Sequence, residues 1–95
     1  MRTKLEEKLI ELGYEYIKPR QKWGDMVRKY VLKFEHTVIM VEVGSPNYPE
    51  FDDIYCGLPE VLYKKQVLRE INKAFKTMTA HQEILEKLGM KFWRN

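Results

Sequence analysis

Hydrophobic residues near the start of the chain repeat every three or four positions, the period of an α-helix. The repeating residues are Leu5, Leu9 and Leu12. Thr3 and Glu6 stand at the spacing of a capping box, and Gly13 suits the left-handed backbone that ends many helices. We therefore predict a first helix over residues 4–12, followed by a short strand over 14–18.

The next part of the chain alternates between polar and apolar residues, which is typical of a strand with one buried face. One face carries Tyr30, Leu32 and Phe34, and the other carries Lys29, Val31 and Lys33. This alternation predicts a second strand over 26–34. Residues 38–43 are apolar almost throughout, which predicts a third, well-buried strand. Because the connections are short, we expect an antiparallel meander.

The second half of the chain changes character twice. Residues 44–59 are rich in proline and acidic residues and show no period, which predicts an irregular loop. An apolar stripe at helical spacing then predicts a second helix over 60–76. The residues of this stripe are Val67, Leu68, Ile71, Phe75 and Met78. Thr79 and Gln82 repeat the capping-box spacing and indicate the start of a third helix over 80–88, which Gly89 ends.

These elements predict an α+β fold in the order α-β-β-β-α-α(-β). The sheet is expected to be a three-stranded antiparallel meander with the helices packed on one face, and residues 90–93 to add an edge strand. At 95 residues, 44% hydrophobic and 33% charged, the chain has the size and composition of one globular domain over 1–95.

The single cysteine, Cys56, cannot form an internal disulfide, which favours a reducing compartment. The first residues lead into the amphipathic helix without an apolar signal core, and no apolar run is long enough to span a bilayer. We therefore expect a cytoplasmic protein.

Charge is strongly segregated along the chain. Residues 1–33 carry nine basic and five acidic residues, 34–63 carry six acidic residues and no Lys or Arg, and 64–95 carry eight basic and three acidic residues. The net charges are therefore +4, −6 and +5, which together give the overall +3. Either the two basic ends fold over the acidic middle and neutralise it, or the middle forms a charged surface patch.

The acidic middle is interleaved with aromatic residues, a combination that suits protein binding. Aromatic rings supply anchoring area and carboxylates steer a basic partner. The candidate contact residues are Tyr48, Glu50, Phe51, Asp52, Asp53 and Tyr55. The alternative is a loop that packs against the lysines and arginines of its own fold.

No complete catalytic, metal or phosphate motif is present. Cys56 and the two histidines, His36 and His81, are not spaced as a nucleophilic pair or as a zinc site. The acids around Glu50 fit no calcium-loop pattern, and phosphate-binding glycine loops are absent. The sequence therefore predicts no metal and no cofactor.

Asp25 opens the second predicted strand, and Glu42 lies in the third, within Val41-Glu42-Val43-Gly44. With the order of elements, this arrangement resembles the restriction-endonuclease-like nucleases, in which an Asp and a Glu-x-Lys motif hold Mg²⁺ and assist hydrolysis. The resemblance implies a Mg²⁺-dependent nuclease as an alternative. The family's Lys position is occupied by Gly44, and Lys64 and Lys65 are the candidates to replace it.

Lys64 and Lys65 also stand near the start of the second predicted helix, after a helix and three strands. That order resembles the double-stranded-RNA-binding domains, where lysines at this place meet phosphates across a groove. The resemblance implies a nucleic-acid-binding alternative. Its candidate residues are Trp23, Lys29, Lys33, Lys64, Lys65, Arg69 and Lys73.

Our leading interpretation is a non-catalytic protein-binding module. Small single-domain chains without catalytic motifs but with segregated charge are common among the accessory proteins of phages and mobile elements, including inhibitors of host defence systems. The nucleic-acid-binding domain and the degenerate nuclease remain the alternatives.

Overall fold

Two helices and four strands form the fold in the part of the chain that the computed structural model describes, residues 2–18, 27–57 and 65–92. In chain order the elements are α1 (Thr3–Glu11), β1 (Glu15–Ile17), β2 (Val27–Lys33), β3 (Val38–Gly44), a 3₁₀ turn (Pro49–Phe51), β4 (Asp53–Gly57) and α2 (Lys65–Lys87).

The strands pair antiparallel in the order β1-β2-β3-β4. Tyr30 pairs with Val41, and Val41 pairs with Ile54. Because paired residues project to the same face of an antiparallel sheet, these side chains form one row on one face. Lys29 and Glu42 form the next cross-strand pair after Tyr30 and Val41, and their side chains lie on the other face.

The hydrophobic core lies between one face of the sheet and the two helices. The sheet contributes Tyr30, Ile39, Val41, Val43 and Ile54, and the helices contribute Leu5, Leu9 and Leu85. The predicted α+β class and the placement of helices on one face are therefore confirmed. The alternation in β2 and the near-continuous apolar character of β3 locate this core correctly.

Both helices end in the same way. Gly13 and Gly89 have φ angles of +99° and +103°, the left-handed conformation that glycine adopts without strain. Tyr14 N–H then donates to the carbonyl of Leu9 (2.9 Å), and Met90 N–H donates to that of Leu85 (3.1 Å). This hydrogen bond defines the Schellman motif, and it turns Tyr14 and Met90 into the core.

The prediction of three strands is wrong, because β4 lies inside the segment that we expected to be irregular. Ile54 and Cys56 face the core, while Tyr55 between them faces the opposite side. The alternation is too short, and its neighbours too rich in proline and acidic residues, to indicate a strand. Pairing with β3, a long-range interaction, forms it.

The predicted second and third helices form one continuous helix, α2. Thr79 does not cap a new helix, because its hydroxyl donates to the carbonyl of Phe75 one turn earlier (2.9 Å). Thr3 likewise lies inside α1, whose N-cap is Arg2 and has no capping side chain. Residues 58–64, where we predicted the helix start, lie outside the described residues.

The predicted edge strand over 90–93 is also not observed in its described residues, 90–92. Met90 is buried, and the backbone of Lys91 donates to a carboxylate instead of to a neighbouring strand. Trp93 lies outside the described residues.

Candidate functional site

Asp52 is the most internal charged group of the acidic segment. Its side chain is fully buried, and its Oδ1 lies 2.6 Å from Arg2 Nη1. Oδ1 also accepts the N–H of Gly44 (2.8 Å), and Oδ2 accepts the N–H of Lys91 (3.2 Å). Arg2 in turn donates to the carbonyls of Gly44 (3.2 Å) and Gly89 (3.1 Å). We call this group the Arg2–Asp52 node.

The node corrects one predicted contact residue. The sequence predicts that Asp52 contacts a partner protein, but its carboxylate forms an ion pair with Arg2 inside the fold. At this residue, the alternative in which the fold's own basic residues neutralise the acidic segment is the one observed. The node joins the residue before α1, the end of β3, the start of β4 and the chain after α2. Charge-assisted hydrogen bonds of this kind are strong, and loss of one buried partner leaves the other charge uncompensated.

The other described acids of the segment do not all gather at one place, although Glu42 and Asp53 are cross-strand partners. Glu35 and Glu50 are exposed. Glu42 is half-buried and accepts a hydrogen bond from Tyr55 Oη (3.1 Å) on the sheet face opposite the helices. Asp53 is half-buried on that same face, and Glu60 lies outside the described residues. Tyr55 and Asp53 therefore do not share a surface loop with the remaining predicted contacts.

The exposed part of the predicted set is the segment 45–51, which we call the aromatic loop. Tyr48 and Phe51 are 43% and 42% exposed, and their ring centroids are 5.8 Å apart. Glu50 is exposed between them in sequence. Two short hydrogen-bonded turns shape the loop: Tyr48 N–H donates to the carbonyl of Ser45 (2.9 Å), and Phe51 N–H to that of Tyr48 (3.2 Å).

Both ends of the aromatic loop are fixed. Gly44 precedes it and Asp52 follows it, and the hydrogen bond between them closes the loop at its base. A Cβ atom on Gly44 would overlap the carbonyl oxygen of Tyr48. Only glycine therefore lets the loop backbone pack this closely on the end of β3.

A cleft of about 160 Å³ adjoins the aromatic loop. Its lining residues are Arg2, Glu6, Arg28, Val43, Gly44, Ser45 and Pro46. Within it, Glu6 Oε1 accepts hydrogen bonds from Arg28 Nη1 and Tyr30 Oη, both at 3.0 Å. Burial, followed by the carboxylate of Glu6, raises the pKa of Tyr30 to about 12. The charged side chains of Glu6 and Arg28 in the wall of the cleft are thus already hydrogen-bonded to one another within the protein.

The predicted basic residues do not form one surface in the described part of the chain. Lys29 and Lys33 lie on the sheet face opposite the helices, where Lys29 is the cross-strand neighbour of Glu42. Arg69 and Lys73 are exposed on α2, on the other side of the sheet. Trp23 and Lys64 lie outside the described residues, as does the side chain of Lys65.

The nuclease arrangement is only partly within the described structure. Asp25 lies outside the described residues, and Glu42 is engaged by Tyr55. Gly44 occupies the family's Lys position, and it has no room for a side chain. A lysine at position 44, as in the nuclease family, would therefore clash with the aromatic loop.

Cys56 and His81 do not form a nucleophilic pair in this structure. Burial raises the pKa of the Cys56 thiol, which favours the unreactive neutral form. Its sulfur lies 3.6 Å from Met78 Sδ. His81 Nδ1 is instead 2.8 Å from Tyr14 Oη, and burial lowers the pKa of His81. The contact between His81 and Tyr14 is a packed polar contact at the edge of the core.

Sequence reasoning missed Arg2, because nothing in the chain links it to an acid fifty positions away. It also placed Leu68 and Phe75 in the buried stripe of the helix. Both are exposed, at 49% and 44%, whereas Val67 and Ala74 are buried.

No protein-family model, curated protein or solved structure matches the chain. Within the described residues, neither helix has the length and apolar character needed to cross a membrane.

Proposed function

We propose that this chain is a non-catalytic protein-binding module whose contact surface is the aromatic loop, 45–51. One observation carries the proposal. Tyr48 and Phe51 expose more than two-fifths of their surface on a loop whose base is fixed by a buried ion pair. Exposed aromatic side chains supply much of the binding energy of protein interfaces when a partner covers them.

The fixed base matters because ordering a loop on binding costs free energy. The aromatic loop is closed by the hydrogen bond from Gly44 to Asp52, and the node holds Asp52 in turn. The backbone of the loop is therefore constrained before a partner arrives, and less of the interaction energy is lost in ordering it.

The chemistry of the loop indicates the kind of partner. Glu50 is its exposed carboxylate, since the charge of Asp52 is used internally. A complementary surface has an apolar pocket for the two rings and a Lys or Arg at the rim. The adjoining cleft, with Glu6 and Arg28 in its walls, offers space for one polar side chain of the partner.

The narrower form of the proposal is an inhibitor of phage or mobile-element type that acts in the cytoplasm. It rests on the small size, the absence of catalytic motifs in the sequence and the single free cysteine, Cys56. The nucleic-acid and nuclease alternatives are kept as outcomes of the test.

The test compares two matched double variants of the tagged protein in quantitative affinity capture from cells of its source. Tyr48→Ala/Phe51→Ala removes the aromatic loop's rings. Leu68→Ala/Phe75→Ala removes two equally exposed apolar side chains from α2. Circular dichroism confirms that both variants are folded.

We expect a stoichiometric protein complex that is lost in the loop variant and retained in the α2 variant. Retention of every complex by the loop variant would refute the proposal. Salt-sensitive capture of nucleic acid by both variants would favour the nucleic-acid alternative instead.

A further inference from the structure

Three potential metal ligands, two adjacent in the chain and one from α2, meet beside the turn between β2 and β3. Glu35 and His36 belong to that turn, and Glu70 lies on α2. One ligand atom from each residue lies within 4.8 Å of the other two. His36 Nδ1 and Glu70 Oε2 are 3.7 Å apart. The sequence does not indicate this group, because its members are not neighbours in a ligand motif.

The carboxylate of Glu70 is held in place by the backbone. Its Oε1 and Oε2 accept the N–H of His36 at 3.1 and 2.9 Å. Its side chain is 13% exposed, and that of His36 is 47% exposed. The turn therefore orients the carboxylate of Glu70, and an ion can reach it beside the half-exposed His36 side chain. In metal sites, hydrogen bonds from neighbouring groups to a ligand hold that ligand in its binding orientation in this way.

The distances suit a small cation after a small adjustment. Zinc binds histidine nitrogen and carboxylate oxygen at about 2.0–2.2 Å, so that two ligand atoms of a tetrahedral site lie about 3.4 Å apart. The 3.7 Å between His36 and Glu70 is close to this value. Glu35 is exposed, and its ligand oxygen already lies within 4.8 Å of the other two ligand atoms, so that binding requires only a side-chain movement of Glu35.

We propose that Glu35, His36 and Glu70 bind a divalent transition-metal ion of the zinc class. The imidazole selects such ions over Mg²⁺ and Ca²⁺, which prefer oxygen ligands alone. Three protein ligands leave a fourth position for water or for a ligand from another molecule. The ion would also link the β2–β3 turn to α2, and so stabilise the folded state. This site is independent of the aromatic loop.

The test uses untagged protein with Cys56→Ser, which removes the one thiol that competes for zinc. ZnCl₂ is titrated by calorimetry, and binding is mapped by amide NMR shifts. We expect one ion per chain with a Kd of about 10 μM or tighter, which at saturating zinc raises the Tm by several degrees. MgCl₂ is expected to bind at least about tenfold more weakly.

His36→Ala and Glu35→Gln are each expected to weaken zinc binding by about tenfold or more, the usual effect of losing a ligand or its support. Glu35→Gln keeps the hydrogen bonds between Glu70 and the turn, so that it separates ligation from folding. Glu83→Gln, at an exposed site on α2, is the matched control and should bind like the parent. Equal binding by all four proteins, or no saturable binding by the parent, would overturn the proposal and leave only the contact between His36 and Glu70.

Discussion

Replacement of Asp52 by alanine is the sharpest test of how this fold is held together. The Asp52 side chain is fully buried and serves Arg2 and two backbone N–H groups, those of Gly44 and Lys91. Removal of one partner of a buried ion pair costs about 3–5 kcal/mol. Domains of this size are stable by only about 5–15 kcal/mol, so Asp52→Ala should remove a large part of the total.

The measurement is urea unfolding followed by circular dichroism, with thermal unfolding as a second readout. We expect Asp52→Ala to lose about 3–5 kcal/mol, and the Tm to fall by at least about 12 °C. Glu50→Ala, two residues earlier and exposed, should change the free energy of unfolding by no more than about 0.5 kcal/mol.

A double-mutant cycle separates the ion pair from the rest of the node. In Arg2→Met/Asp52→Asn, the charge is removed from both sides, while the amide oxygen introduced at position 52 keeps an acceptor for the N–H of Gly44. We therefore expect the double variant to be more stable than the sum of the single effects by about 1–3 kcal/mol. A loss under about 1 kcal/mol in Asp52→Ala, or strictly additive single effects, would refute this account of the node.

Three further predictions follow from individual contacts. Gly44→Ala should destabilise the fold by about 2 kcal/mol or more, because the new Cβ would overlap the carbonyl oxygen of Tyr48. Gly89 has a φ of +103°, but a Cβ there would meet no neighbouring atom, so Gly89→Ala should cost only about 1 kcal/mol. Urea unfolding measures the free energy of unfolding of both variants. Because the pKa of Tyr30 is raised from 10.0 to about 12 in the fold, the folded state retains a proton that the unfolded state loses. Stability should therefore fall as pH rises through about 10–12, and Tyr30→Phe should flatten that fall; a parallel decline in both proteins would contradict it. Partial burial raises the pKa of the Cys56 thiol. Its reaction with a disulfide reagent should therefore be slower in folded than in urea-unfolded protein, and equal rates would contradict this effect of the fold on the thiol.

Local patterns predicted the parts of the fold that depend on near neighbours. The alternation in β2 indicated its buried face correctly, because period two leaves no other arrangement once one face is apolar. Gly13 and Gly89 marked two helix ends correctly, since both adopt the left-handed backbone. Capping-box spacing was less reliable, because Thr79 bonds to the preceding turn inside one continuous helix.

Long-range contacts form the features of the structure that the sequence patterns did not predict. The strand β4 forms by pairing with β3, and its own alternation is too short to indicate it. Arg2 meets Asp52 only after the fold is complete, and this contact separates the internal acid from the exposed Glu50. Of the candidate contact set, Tyr48 and Phe51 are exposed, whereas Asp52 is buried and does not belong to the same surface. Binding of a partner by the exposed residues stays a prediction.

The most direct test of the proposed binding surface is site-specific photo-crosslinking in cells. A photoreactive phenylalanine analogue is placed either at Phe51 or at Phe75, two positions of nearly equal exposure on the aromatic loop and on α2. We predict a discrete crosslinked protein product from position 51 and none from position 75. A product from position 75 alone, or none from either position, would contradict the proposal that the aromatic loop binds a protein partner.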